Sequence, residues 1–402
     1  MEQGVDRLRD GSSAYRGLVP PHGGILVNRM VSDVPPSSHF ETLPKLVLNQ
    51  DQLMDLEQIA IGSFSPLEGF MCEDELRSVL DTMRLPNGVV WSLPIVLDAS
   101  EADAQGMAAR QDVALYDGSN QLVGLLHLEQ KYRVDKKEMA KKLYGTDSDA
   151  HPGVVAVRKL QPIFLGGKIS LLRRPHTETK EYELTPHETR HIFIERGWKK
   201  VVGFHTRNVI HRSHEFIQLQ AMEQECCDGL FVHPVIGRKK AGDFQAKYII
   251  RSYQIMIDRF YPKDSAVFAA FSTFSRYAGP REAIFTALCR KNFGCSHFVV
   301  GRDHTGVGTF YPPTASHEIF DRFPDIGIQP VRFNNVFYSK KRNAHIREEE
   351  GEDHREEEML HISGTQARKM FEKGEAPPSW FMRPEISREI VDAMKNGERV
   401  FV

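Results

Sequence analysis

The chain has 402 residues, room for two or three domains, and its 41% hydrophobic and 26% charged residues suit a globular protein with a sizeable core. Its 52 Lys+Arg against 54 Asp+Glu lack the basic excess of a general polyanion binder, so no nucleic-acid partner is expected. No apolar run is long enough for a bilayer, Met1–Asp10 is charged rather than signal-like, and five cysteines are too few for a disulfide scaffold, so a cytoplasmic, membrane-free protein is expected.

The chain opens on turn-rich sequence, Pro20-Pro21-His22-Gly23-Gly24 and Pro35-Pro36-Ser37-Ser38. Short β-type runs follow at Val89–Trp91 and Leu93–Leu97, and 112–118 with 121–126 reads as a hairpin closed on a Gly-containing turn. A compact β-rich unit is therefore expected from about 90 to 175, interrupted by a helical, Lys-rich piece near 130–144. From Pro186 the pattern changes. His187–Gly197 reads as a helix capped by Thr185, 200–204 as a buried strand, His214–Cys226 as a helix and His297–Gly301 as a second strand. Strands alternating with helices predict a parallel α/β sheet. The acidic run Arg347–Glu358 reads as a solvated loop or hairpin tip, followed by helices at Ser363–Lys373 and Pro384–Asn396.

Chemistry concentrates where the two strands end. His205-Thr206-Arg207-Asn208 lies in the polar turn after the first strand, and ligands of parallel sheets bind at such carboxyl ends. The following helix start offers N–H groups suited to phosphate. His211 and His214, three apart, share a helix face and can donate to polyphosphate oxygens, although a pair of ordinary surface histidines has the same spacing. Arg212 stands where a zinc protease needs a glutamate, which excludes that class. The second strand opens into Gly301-Arg302-Asp303-His304-Thr305-Gly306, whose glycines let backbone approach a ligand. Ser363-Gly364-Thr365-Gln366-Ala367-Arg368 reads as a helix cap with an exposed arginine or as a third site.

Together with Pro21–Gly24, 65–70, Cys227–Pro234 and Phe381–Glu385, these motifs resemble the ATP sulfurylase (sulfate adenylyltransferase) family over nearly the whole chain. The family signature is Gln-x-Arg-Asn-Pro-x-His-x-x-His, then Gly-Arg-Asp-His, then Ile-Ser-Gly-Thr-x-x-Arg. The resemblance implies an α/β multidomain fold: a β-rich, PUA-like N-terminal domain (1–175), a Rossmann-like nucleotidyltransferase domain (176–335) and a small C-terminal α/β domain (336–402). It implies the reaction of ATP with sulfate to adenosine 5′-phosphosulfate and diphosphate, with Mg2+ as Mg-ATP, in a homo-oligomer. By motif match, Thr206, Arg207 and Asn208 fall on catalytic positions, and His205, Arg207 and the Thr305 backbone on sulfate contacts. The ATP site takes His205–Asn208, His211, His214, Gly301, Arg302, Asp303 and His304.

Because sulfate is already ionised, that reaction needs positive charge and donors rather than a base, expected here from Arg207, Arg302 and a few histidines. Direct in-line displacement needs no covalent intermediate, so Thr206 is expected to orient rather than attack. Three positions depart from the family. His205 replaces the glutamine, Val209 the following proline, and Phe337-Tyr338-Ser339-Lys340-Lys341-Arg342 lacks both thiolates of the zinc knuckle many relatives carry, so no structural zinc is expected. Histidine titrates near neutrality, so His205 either makes acceptor affinity pH-dependent or is a tolerated exchange. A different oxyanion acceptor (selenate, molybdate or a phosphonate) and a catalytically silent nucleotide-binding relative are the competing readings.

Overall fold

The computed structural model describes Tyr15 and residues 17–402, so the charged Met1–Asp10 segment lies outside the described residues. Its first sheet contains β1 (Lys45–Val47), β2 (Gly69–Phe70), β3 (Leu97–Ala99), β4 (Gln111–Tyr116), β5 (Leu122–Tyr132) and β6 (Ile163–Leu171). The order is β1-β4-β5-β6-β2, with β3 also on β6, and every pairing except β1–β4 is antiparallel. The expected hairpin is β4–β5. Its turn is built by Asp117, whose carboxylate accepts the N–H groups of Ser119 and Gln121, while Asn120 takes the left-handed conformation that short polar residues tolerate.

Two expectations need correction. Residues 89–91 form only an isolated bridge, Arg84 with Val90, and 93–96 form no strand, the ladder beginning at Leu97. β5 runs on to Tyr132, because its register with β6 resumes after a bulge at Leu128/Gln130, so the helix there starts only at Lys136. Helix α1 (Gln50–Ala60) and α2 (Glu73–Thr82) flank this sheet, with α3 (Lys136–Tyr144) and α4 (Pro152–Lys159) packed together beside it.

The second sheet is fully parallel. Its strands β7 (Val201–Thr206), β8 (Gly229–Pro234), β9 (Ala266–Phe268), β10 (His297–Gly301) and β11 (Gln329–Phe333) stand in the order β11-β10-β7-β8-β9. β8 is buried at every position, the pattern expected when helices cover both faces. The helices are α5 (Pro186–Glu195), α6 (Arg212–Gln224), α7 (Ala246–Arg259) and α8 (Pro280–Asn292). Thr185 caps α5 in a reciprocal box with Glu188, as the sequence indicated. The chain leaves β7 in one direction to build β8 and β9, then returns to build β10 and β11 on the other side. β7 and β10 are therefore the neighbours at which the order reverses, and their carboxyl ends leave a crevice.

A third, antiparallel sheet, β13-β12-β14, comprises β12 (Val336–Ser339), β13 (Ala344–Arg347) and β14 (Met359–Leu360). The acidic run is the largely exposed link from β13 to β14. Helices α9 (Gly364–Glu372) and α10 (Pro384–Lys395) follow, and Ser363 caps α9 with Gln366. One apolar core, including the edge-packed trio Phe64, Trp91 and Phe285, joins the first sheet to one face of the parallel sheet. A second core joins the other face to α9 and α10.

Candidate functional site

The crevice between β7 and β10 is a cleft of about 400 Å3. His205 and Thr206 reach it as the last residues of β7, and Arg207 and Asn208 as the turn that follows. Asn208 N–H donates to Thr206 Oγ1 at 3.2 Å, which closes that turn. Gly301, Arg302, Asp303, His304 and Thr305 enter from β10. His205 and His304 face each other with ring centroids 5.0 Å apart. Arg207 lies over the Tyr277 ring, its guanidinium carbon 5.9 Å from the centroid. His214 enters from the first turn of α6.

The loop after β10 is held in shape by its own chemistry. Asp303 and Thr305 both have positive φ (57° and 54°), and a Cβ on Gly306 would lie 1.7 Å from an Asp303 carboxylate oxygen. A Cβ on Gly301, in contrast, would meet nothing within 4 Å, so that position borders open space. Backbone bonds from Arg302 N–H to Phe333 and from Asp303 N–H to Pro313 (both 3.0 Å) fix the loop to its neighbours. Thr286 Oγ1 lies 3.1 Å from His304 Nε2 and sets the ring from below.

Of the residues assigned by motif match to the catalytic, sulfate and ATP positions, His211 does not line the cleft, and neither do Ser363–Arg368, the possible third site. His211 is the residue before α6, stacked between His214 (3.6 Å between centroids, 27°) and Phe381 (5.0 Å, 17°). It therefore backs the His214 ring. The helix start is also less open than a free amino terminus, since Arg212 N–H donates to the Phe381 carbonyl at 2.8 Å. Arg383 clamps the same turn through a two-pronged ion pair with Glu215 (2.9 and 2.5 Å).

The electrostatics differ from expectation in one respect. Burial, reinforced by Arg290, His304 and Arg207, pushes the His205 imidazole well below its ordinary range. Burial takes His214 to about 4, and burial with Arg290 takes His304 to about 3. These rings are neutral at neutral pH, so the positive charge comes from Arg207 and Arg302, with Arg290 behind them. The same burial favours a neutral His205 over one that titrates near neutrality. Its Nδ1 is buried without a hydrogen-bond partner among the described residues.

Arg290 is the residue the sequence did not reveal. It is fully buried on α8 and meets no carboxylate among the described residues, donating instead to the His233 carbonyl at 2.6 Å and lying over Phe271. Gly203 makes room for it, since a Cβ there would lie 2.9 Å from Arg290 Cγ. Ser275, Tyr277, Phe333 and Asn334 also line the cleft without any motif to mark them, because separate loops bring them there. Arg368, read from sequence either as an exposed residue behind a helix cap or as part of a third site, is half-buried against Gly242 and the Phe401 ring. Ser339 is buried, accepts the Arg342 N–H at 2.9 Å and lies 2.6 Å from His354 Nε2.

Comparison with known proteins gives a consistent result. The family model for ATP-sulfurylase matches residues 180–393, and that for a PUA-like domain matches 19–174. A sulfate adenylyltransferase of Halothermothrix orenii is 43% identical over 385 residues, covering 94% of this chain and 100% of the relative. Those of Synechocystis and Cenarchaeum symbiosum are each 42% identical, covering 94% of this chain and 97% of theirs. Among solved structures, a hexameric APS kinase from Thiobacillus denitrificans shares the fold with a TM-score of 0.72 at 24% identity, over 93% of this chain and 68% of that one.

Proposed function

The chain belongs to the ATP-sulfurylase family, and from that premise we propose how its cleft carries out the family reaction. The protein is a sulfate adenylyltransferase: ATP and sulfate give adenosine 5′-phosphosulfate and diphosphate. A sulfate oxygen attacks the α-phosphorus in line, the bond from α-phosphorus to the bridging oxygen breaks, and diphosphate leaves with that electron pair. The barrier is mutual repulsion of anions, so the residues act by charge and position. Arg207 offers sulfate a planar fork, and neutral His205 with the Thr305 backbone donates to its remaining oxygens. Asn208 donates to the α-phosphoryl oxygens while Thr206 orients the turn. His214, backed by His211, and the Gly301–His304 loop hold the nucleotide and the departing diphosphate. Magnesium arrives as part of the substrate, Mg-ATP.

One observation carries this assignment: ten of the eleven residues matched to catalytic, sulfate or ATP positions converge on one cleft at the point where the parallel sheet reverses its order. Sulfate-dependent exchange between ATP and labelled diphosphate tests it. Arg207→Ala is expected to lower the exchange rate by at least about 100-fold, the loss typical of a transition-state charge donor. Residual exchange within a few-fold of wild type would remove Arg207 from the mechanism.

We further propose three structural units, 1–175, 176–335 and 336–402, supported by the segregation of the three sheets into 45–171, 201–333 and 336–360. A homo-oligomer and a cytoplasmic location complete the reading, the latter supported by five unpaired cysteines. No helix among the described residues is long and apolar enough to cross a membrane. The absence of structural zinc also stands as a proposal, supported by Ser339 and Arg342 at the two thiolate positions; metal analysis of tag-free protein decides it.

A further inference from the structure

Arg207 has a second side. Beyond it, separated from the main cleft by Ser275 and Tyr277, lies a smaller cavity of about 50 Å3 whose other walls include Val235, Lys239 and Lys240. Four cationic side chains line it, those of Arg207, Arg238, Lys239 and Lys240, against the single carboxylate of Asp243. Of the four, only Arg238 has a carboxylate partner within 4 Å among the described residues, Asp51 at 2.8 Å. Lys239 Nζ donates to the Val235 carbonyl at 2.7 Å, and Asp243 accepts the Lys240 backbone N–H at 3.2 Å. Arg368 packs against Gly242 behind the same loop and adds a further cation.

A partly buried lysine beside an arginine, with no anion between them, is a costly arrangement unless an anion completes it. Burial, with Arg207 adding to it and Asp243 opposing, pushes the Lys239 ammonium down to about 8, so the one carboxylate of the cavity does not offset its desolvation. The cavity holds a few waters or one tetrahedral oxyanion, whereas whole small-molecule ligands need roughly 300–1,000 Å3. A nucleotide does not fit there, and the adjoining 400 Å3 cleft is the space for it.

We propose that this cavity is an entry subsite for the acceptor oxyanion, in which Lys239 and Lys240 collect a tetrahedral dianion and pass it to Arg207. The inference rests on the adenylyl-transfer reading and adds a route for its acceptor. Because Arg207 lines both spaces, the dianion changes sides without leaving the guanidinium. The basic mouth also raises the local concentration of sulfate before it meets the anionic nucleotide.

Initial rates at varied sulfate and varied ATP test the proposal. Lys239→Gln is expected to raise the KM for sulfate about ten-fold, the loss of one charge-assisted bond, with a much smaller change in the KM for ATP. Lys239→Arg is expected to recover most of that loss. Lys240→Gln, on an exposed side chain, is expected to raise the KM for sulfate about three-fold, and serves if Lys239→Gln does not fold. A sulfate KM within two-fold of wild type in a folded Lys239→Gln protein overturns the proposal. So does a shift confined to the KM for ATP or diphosphate, which would give the cavity to the leaving group. Absence of sulfate-dependent exchange in the wild type would instead overturn the reading of function. Calorimetric titration of nucleotide-free protein with sodium sulfate then reads the cavity independently: binding weakened by Lys239→Gln supports it, and unaltered binding refutes it.

Discussion

His205 shows how burial decides what a substitution means. On the page of residue types, exchanging glutamine for histidine adds a titrating group at the acceptor site. In the fold that ring is enclosed beside Arg290, and its protonated form is disfavoured well below neutrality. The sulfate affinities of wild type and His205→Gln are therefore expected to follow parallel curves from pH 6 to 9. A wild-type curve that bends near 6.5 while the variant's does not would contradict this neutral state. Arg290 makes the complementary point. Its side chain carries charge under the cleft, yet it sits in an apolar helical stretch, and only the adjacent Gly203 hints that something large lies over the strand. A motif marks residues that are near in sequence, and Arg290 meets the cleft through packing alone.

At the scale of elements, the turn after β7 and the loop after β10 were legible because glycines, charges and strand patterns coincide there. What sequence periodicity could not convey is that α6 is completed from far away. Phe381 caps its first N–H and stacks on His211, and Arg383 clamps Glu215 while lying 3.8 Å over the Phe260 ring. Replacing Arg383 leaves Glu215, itself 8% exposed, with the longer Arg212 contact at 3.4 Å in place of a two-pronged pair. Arg383→Met is expected to destabilise the protein by about 3 kcal/mol in urea denaturation. It is also expected to raise the KM for ATP, because the His214 ring loses its fixed backing. Stability unchanged within about 0.5 kcal/mol would show that the clamp is merely a surface pair. The strand limit near 130 has a related cause: β5 extends because β6 accepts it after a bulge, a partner invisible from β5's own residues.

For the whole molecule, the neutral histidines tie stability to pH. His214 and His304 have folded values of about 4 and about 3, whereas both protonate near 6.5 when unfolded. The unfolded chain thus binds more protons than the folded one between 6.5 and those values. Their contribution is complete above pH 6.5 and is lost as the pH falls through that window. The slope is about 1.4 kcal/mol per pH unit for each ring. The melting temperature should fall from pH 7 to pH 5, and His304→Gln should flatten that fall; an identical slope in the variant would exclude His304 as a contributor. Between the first and second sheets, the pair Asp55–Arg276 (2.5 Å) is nearly buried on both sides and anchors the segment that carries Tyr277 into the cleft. Asp55→Ala is expected to lower stability by about 3–5 kcal/mol, measured by thermal or chemical unfolding.

The clamp on α6 bears on the order in which the protein becomes competent. Glu215 and Arg383 lie 168 positions apart, with the parallel sheet's last four strands and the third sheet between them. On a translating ribosome, β7, β8 and β10 emerge and can pair well before Phe381 exists. The nascent chain therefore holds a nearly complete sheet with an unfastened helix start, and His214 reaches its place only once the late segment has docked. Translation products that stop before Phe381 would lack part of the second core as well as a seated nucleotide site, so the long reach of one carbonyl and one guanidinium delays activity until the segment around Phe381 and Arg383 has been made.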